Sequence, residues 1–312
     1  MNEPGWERKL VEQLAFESLK EQRRRRRWSI FFKILGFGYV GFILLMVWGW
    51  DRGEVAASDG AAHTALVQLD GVIGGGDEVN AEQVILALQA AFDDAGTRGV
   101  VLRINSPGGS PVQAGMINDE IRRLRAKHAN VPVYAVVEDI CASGGYYVAV
   151  AADKIFVDKA SLVGSIGVRM DGFGFTEAMQ KLGVERRLLT AGENKGFLDP
   201  FSPQDPKQQD FARQMLGEIH QQFIDVVRKG RGQRLKESPE TFSGLVWTGA
   251  KSIELGLTDG FGTVDTVARD IIKAEDIRDY TQRQNFAERF AKRFGAETAN
   301  GFLGAVERFG WK

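Results

Sequence analysis

The sequence predicts an α/β fold with a largely parallel sheet, preceded by one N-terminal transmembrane helix. Three observations lead there. From residue 65 onward, short apolar runs alternate with longer segments of helical period, the pattern of βα units that close into a parallel sheet. Ile34–Trp50 (ILGFGYVGFILLMVWGW) runs for seventeen residues without a charge. Immediately before it stands a cluster of five arginines, Arg23–Arg27.

The N-terminal elements follow from charge and length. Residues 1–27 carry eight basic side chains against five glutamates. The apolar run rises about 1.5 Å per residue, so with Trp28–Lys33 it reaches across a bilayer core. Lys33 can extend its ammonium to the nearer interface, and Trp28, Trp48 and Trp50 stand where interfacial aromatics sit. The arginines place residues 1–27 in the cytoplasm, residues 28–50 as the anchor, and all that follows on the extracytoplasmic side. The alternatives are a buried core helix, which the adjoining Arg23–Arg27 argues against, and a cleaved signal peptide, since Val55-Ala56-Ala57 has the small residues of a cleavage site. Gly36-Phe37-Gly38-Tyr39-Val40-Gly41 matches a dinucleotide-binding pattern, but that pattern has meaning only between a strand and a helix.

Residues 51–63 are small, polar and aperiodic, and read as a linker. Strands are expected over Ala65–Ile73, Gly99–Ile104, Pro132–Val137 and Lys154–Val157, and helices over Asn80–Ala95, Val112–Lys127, Gly144–Ala152, 207–229 and 263–274. In the tail, Phe286, Phe290 and Phe294 recur every four residues among Arg283, Arg289, Lys292 and Arg293, a basic amphipathic helix. The 312 residues suit one substantial domain, here 64–275, with a C-terminal tail over 276–312.

Composition narrows the function. Forty basic against forty-one acidic residues give a net charge of −1, with no electrostatic reason to expect nucleic acid. A single cysteine, Cys141, excludes an internal disulfide and a cysteine-based zinc site, and no metal or cofactor site is expected.

The chemistry concentrates in glycine-rich turns. Cys141-Ala142-Ser143-Gly144-Gly145 follows a strand and opens a helix, so Ser143 sits where unpaired backbone N–H groups favour developing negative charge. That suits an acyl-transfer nucleophile, although a serine there can equally be a plain helix cap. Ser106-Pro107-Gly108-Gly109 is a second strand-to-helix turn, able to emerge at the same sheet edge and offer donors to an oxyanion, or to be an ordinary β-turn. For a base, His63, His128 and His220 lie in polar contexts and read as surface residues. Lys195 is the alternative if it is buried and neutral, although composition alone makes it an exposed loop lysine.

Taken together, ASGGYY, the upstream SPGG, GSIGV (Gly164–Val168), AGENKGFLDPFSP and VWTG…ELGLTDG closely resemble the bacterial signal peptide peptidase A family, over about Ala65–Asp265. The resemblance implies a Ser/Lys-dyad serine endopeptidase of the Clp protease/crotonase superfamily. By it, Ser143 is the nucleophile, Lys195 the general base, Ser165 the residue that orients the lysine, and Gly108, Gly109 and Gly144 the oxyanion region. Leu245 stands where the family has arginine, and Cys141 where a small residue is usual. The implied substrates are remnant signal peptides in the bacterial inner membrane. The implied assembly is a ring of about eight chains, with serine and lysine supplied by neighbouring protomers. Other readings of the same residues are a related peptidase that cleaves membrane proteins, a crotonase-like acyl-CoA enzyme, and a non-catalytic scaffold.

Overall fold

A computed structural model describes residues 6–50, 60–75 and 79–282 of the chain, without the side chains of 6–15, 18–19 and 43–50. The chain divides into two compact units, one containing residues 1–57 and the other Ser58–Arg283. In the first, α1 (Trp6–Trp50) is one continuous helix. Among the described residues no helix is long and apolar enough to cross a membrane, and the apolar end of the expected anchor, residues 43–50, has its side chains outside them. The expected amphipathic helix after Gln282 also lies outside the described residues.

The second unit is a mixed α/β domain on an eight-stranded, largely parallel sheet. It runs β1 (His63–Asp70), α2 (Ala81–Asp93), β2 (Thr97–Ser106), α3 (Pro111–Lys127), β3 (Val133–Ala142), α4 (Gly144–Ala149), β4 (Lys154–Val157) and β5 (Leu162–Gly164). Then come α5 (Thr176–Lys181), α6 (Pro206–Arg231), β6 (Val246–Thr248), α7 (Gly249–Glu254), β7 (Gly260–Phe261), α8 (Val264–Thr266) with a π-helical continuation to Ile272, and β8 (Ile277–Asp279).

The strand order β6-β5-β3-β2-β1-β8 is parallel throughout except for the antiparallel β5–β6 pair. Strand β3 forks. Its first half, Tyr134–Val136, pairs with β4, and its last residues, Ile140–Ala142, pair with β5. The fork leaves Glu138 and Asp139 in solvent and carries the chain on to Ser143.

Helices begin where the sequence supplies caps. Asn80, Ser110 and Asp205 each accept a backbone N–H of the following turn, and Pro111 and Pro206 occupy first-turn positions whose N–H has no partner to lose. Val84, Ala87, Leu88 and Ala91 of α2, with Ile117, Ile121 and Leu124 of α3, bury one stripe each against Val67, Leu69, Leu102 and Ile104 of the central strands. Strand β8 pairs with β1, so the domain extends past residue 275, and β1 begins at His63 rather than after a linker ending there. His63 is no surface residue: it is fully buried, with Nε2 2.9 Å from the Tyr280 hydroxyl.

Candidate active site

The parallel strands β2 and β3 end side by side, with Ser106 in register with Cys141. Both glycine-rich turns therefore leave the sheet at its C-terminal edge, the edge at which ligands bind in open α/β sheets.

Ser143 is the N-cap residue of α4, but its hydroxyl caps nothing. It is half-buried at φ 52° and ψ −121°, a conformation rarely held by a residue with a Cβ and one that costs about 1–3 kcal/mol. Its N–H donates to the Gly164 carbonyl at 2.8 Å, and its carbonyl accepts from Tyr147 N–H at 2.9 Å. Among the described residues Ser143 Oγ has no hydrogen-bond partner. The plain-cap reading is thus excluded, and the backbone presents a free hydroxyl.

The facing turn explains its glycines. At Gly109 (φ 149°) a Cβ would collide with the Ile73 carbonyl, and at Gly108 (φ 101°) it would lie 2.7 Å from Ser143 Cβ and 2.6 Å from Gly144 N. Ile73 forms a parallel bridge to Gly109 by donating to the Gly108 carbonyl at 2.9 Å and accepting from Ser110 N–H at 2.7 Å. That pattern turns the Gly109 N–H away from Ile73. The Gly109 nitrogen lies 3.2 Å from where a Cβ on Gly144 would stand, so it sits beside the residue that follows Ser143. Neither Gly109 N–H nor Gly144 N–H donates to any described residue. Gly108 differs from the expectation: its N–H is taken by Ser106 Oγ at 3.2 Å, so it supplies room rather than a donor.

Helix α4 is fixed from two sides. Tyr146, fully buried, donates its hydroxyl to the Leu257 carbonyl at 2.7 Å, and Asn118 Nδ2 on α3 donates to the Tyr147 carbonyl at 2.7 Å. Cys141 is buried beneath the turn, and burial pushes its thiol well above the ordinary range, so it is an inert small residue.

Ser165 follows β5 and also holds a positive φ, 51°, its N–H donating to the Leu245 carbonyl at 2.7 Å. Through Gly164 this turn is bonded directly to Ser143. Lys195 is exposed in a turn, its N–H bonded to the Gly192 carbonyl at 3.1 Å, and its ammonium has no hydrogen-bond or ion-pair partner among the described residues. The surrounding segment, residues 169–195, is exposed almost throughout, with Phe173, Leu182 and Leu189 82%, 79% and 96% exposed.

Sequence reasoning missed His220. It is half-buried on α6, and its Nε2–H donates to the Ile166 carbonyl at 3.2 Å, one residue from Ser165. A signal was present in the spacing, since His220, Phe223 and Val227 share one helical face and the latter two are buried.

Residues 125–278 match the peptidase family S49 model, a span that includes Ser143, Ser165 and Lys195. The chain is 27% identical over 238 residues to a candidate signal peptide peptidase SppA of Enterococcus faecium, covering 73% of this chain and 69% of that protein. It is 31% identical over 227 residues to protease 4 of Haemophilus influenzae, covering 72% of this chain and 36% of that one. A stretch of 175 residues, 56% of the chain, is 48% identical to the Na(+)/H(+) antiporter NhaA of Brucella melitensis, of whose length the chain spans 24%. The matched model spans the Ser143 turn, and together with these peptidase relatives it shows that the domain over residues 125–278 belongs to peptidase family S49, the SppA-like serine peptidases.

Proposed function

We propose that the protein is a membrane-anchored serine endopeptidase that cleaves remnant signal peptides, with Ser143 as nucleophile and Lys195 of a neighbouring subunit as general base. The observation that carries this reading is the unbonded Ser143 hydroxyl, held in a strained conformation beside the free N–H groups of Gly109 and Gly144. A neutral lysine takes the Ser143 proton as Oγ attacks a peptide carbonyl. The two N–H groups hold the oxyanion, the amine leaves with a proton from the lysine, and water hydrolyses the acyl-enzyme. Ser165 holds the lysine in place.

A lysine serves as base only when burial disfavours its charged form, and Lys195 is exposed in one chain. A second copy that covers residues 169–195 would bury both the lysine and the exposed Phe173, Leu182 and Leu189. A ring of about eight chains satisfies that requirement. The exposed apolar side chains of α1, among them Phe31, Ile34, Leu35 and Phe37, and the arginines before them support a single membrane crossing with the N-terminus in the cytoplasm. The peptidase unit then faces the periplasm, beside its apolar substrates.

The test uses the full chain in detergent with a synthetic signal peptide. Ser143→Ala and Lys195→Ala each abolish cleavage, and co-assembling the two inactive variants restores about a quarter of the sites by random mixing of subunits. Full activity in Lys195→Ala refutes the assigned base. Inactivity of the mixture places both groups in one chain.

A further inference from the structure

We propose that His220 is a positioning residue that sets the Ser165 turn against the nucleophile. This rests on the reading of Ser143 and Ser165 given above. Gly164 and Ser165 are two successive residues at positive φ, 116° and 51°. Such a conformation in a serine persists only where its surroundings over-determine it. Beyond the strand ladder of Gly164, the described residues give the turn three hydrogen bonds to other segments: Gly164 accepts from Ser143 N–H, Ser165 donates to the Leu245 carbonyl, and Ile166 accepts from His220. The first two join backbone to backbone and are indifferent to side-chain identity. His220 provides the only side-chain hydrogen bond onto residues 163–168 among the described residues. Since a carbonyl can only accept, the bond requires the proton on Nε2.

The element that carries His220 also grips the nucleophile helix. Phe223, three residues further on the same face of α6, packs its ring 5.1 Å from that of Tyr147 on α4. Helix α6 itself is fixed at its far end, where fully buried Arg231 forms a bidentate pair with Asp259 at 2.8 and 2.9 Å. One rigid helix thus touches the Ser143 helix through Phe223 and the Ser165 turn through His220, about one helical turn apart. It fixes the separation of the two serines. Without the imidazole, Ile166 loses its bond, and the Ser165 hydroxyl loses its place relative to Ser143.

The experiment compares His220→Gln, His220→Asn and His220→Leu in the full chain, alone and combined with Ser165→Ala, on the same signal peptide. Glutamine carries its amide nitrogen to the Nε2 position, and asparagine falls short of it. The expected result is a kcat about tenfold lower for the Leu and Asn variants, the effect of about 1.4 kcal/mol lost in the transition state, with KM unchanged. Glutamine restores most of the rate, and none of the three lowers it further once Ser165 is alanine. The proposal is overturned if kcat is unchanged in both Leu and Asn variants, if glutamine behaves as asparagine does, or if the loss is equally large in the Ser165→Ala background. Wild-type activity in Ser165→Ala also overturns it while leaving the Ser143/Lys195 reading intact, whereas activity in Ser143→Ala strikes that reading instead. Comparing Gln with Asn, both polar and similar in size, keeps the test decisive if the Leu variant fails to fold.

Discussion

Gly108→Ala tests the site with the least ambiguity, because its consequences follow from three distances. The new methyl carbon would lie 2.6 Å from Gly144 N, 2.7 Å from Ser143 Cβ and 2.8 Å from the Ala142 carbonyl oxygen. Ordinary carbon contacts begin at about 3.5 Å, so each approach is short by most of an ångström. All three obstacles are backbone or the nucleophile's own Cβ, and no side-chain rotation relieves them. The φ of 101° adds strain for any residue with a Cβ. Backbone strain of about 1–2 kcal/mol and overpacking of about 1–3 kcal/mol together give a destabilisation of about 2–5 kcal/mol. For a unit of this size that lowers Tm by about 4–20 °C. The larger effect is on rate: the two turns must part, which moves Ser143 and the Gly144 N–H away from the Gly109 N–H. Loss of one oxyanion donor costs about 10²–10³ in kcat, so peptide cleavage falls about a hundredfold or more with KM little changed. Gly115→Ala, on a helix face with nothing within 4 Å of the added methyl, is the control and leaves both rate and fold intact. Wild-type kcat in folded Gly108→Ala would refute the proposed oxyanion geometry.

Asp259→Ala leaves fully buried Arg231 without its partner and destabilises the domain by about 3–5 kcal/mol, read by thermal or denaturant unfolding. Burial acts to raise the Asp259 carboxyl, but the hydrogen bonds and charge of Arg231 outweigh it and hold it below the usual range. Its contribution is therefore present above the unfolded value of about 3.9 and lost as pH falls through the lower folded value, and Asp259→Asn flattens that acid limb. Cys141 resists thiol reagents in the native protein at pH 8 and labels once the chain is unfolded, since its thiol is buried and its thiolate disfavoured. Leu189→Asp, at a side chain 96% exposed, shifts Tm negligibly but reduces both the assembled species in size-exclusion and the peptidase rate.

The βα alternation was legible because the central strands are buried on both faces over much of their length and read as apolar runs, as in Val100–Leu102 and Val133–Val137. The extension of β3 to Ala142 was not. Glu138 and Asp139 are in solvent where the strand changes partners from β4 to β5, so local pattern breaks although pairing resumes. The three-residue strands β5 and β6 are likewise held by pairing to distant residues rather than by propensity. The turns at Gly108, Gly109 and Ser143 were legible from glycine, since close backbone approach admits little else there. What glycine could not reveal was which N–H is free: that depends on the Ile73 bridge, a contact across thirty-six residues of chain. His220 and His63 were misread for the same reason. Their flanking sequence is polar, and their partners, the Ile166 carbonyl and the Tyr280 hydroxyl, lie 54 and 217 residues away.

The two halves of the candidate machinery are built to opposite standards. Ser143, Gly109 and Gly144 stand on strand ends and a clamped helix, over-determined by hydrogen bonds at each step, as strained backbone requires. Lys195 stands in an exposed segment where α5 buries no residue against the domain. A proton acceptor needs the same positional accuracy as the nucleophile it serves, and a lysine needs a drier surrounding besides. A single chain leaves Lys195 exposed, and it leaves Phe173, Leu182 and Leu189 of the preceding segment uncovered as well. Burying those side chains against another copy would order the segment and desolvate the lysine in one step, so that catalytic competence would arise with assembly. Such coupling would keep a stray subunit inactive, because it would carry a nucleophile without a base.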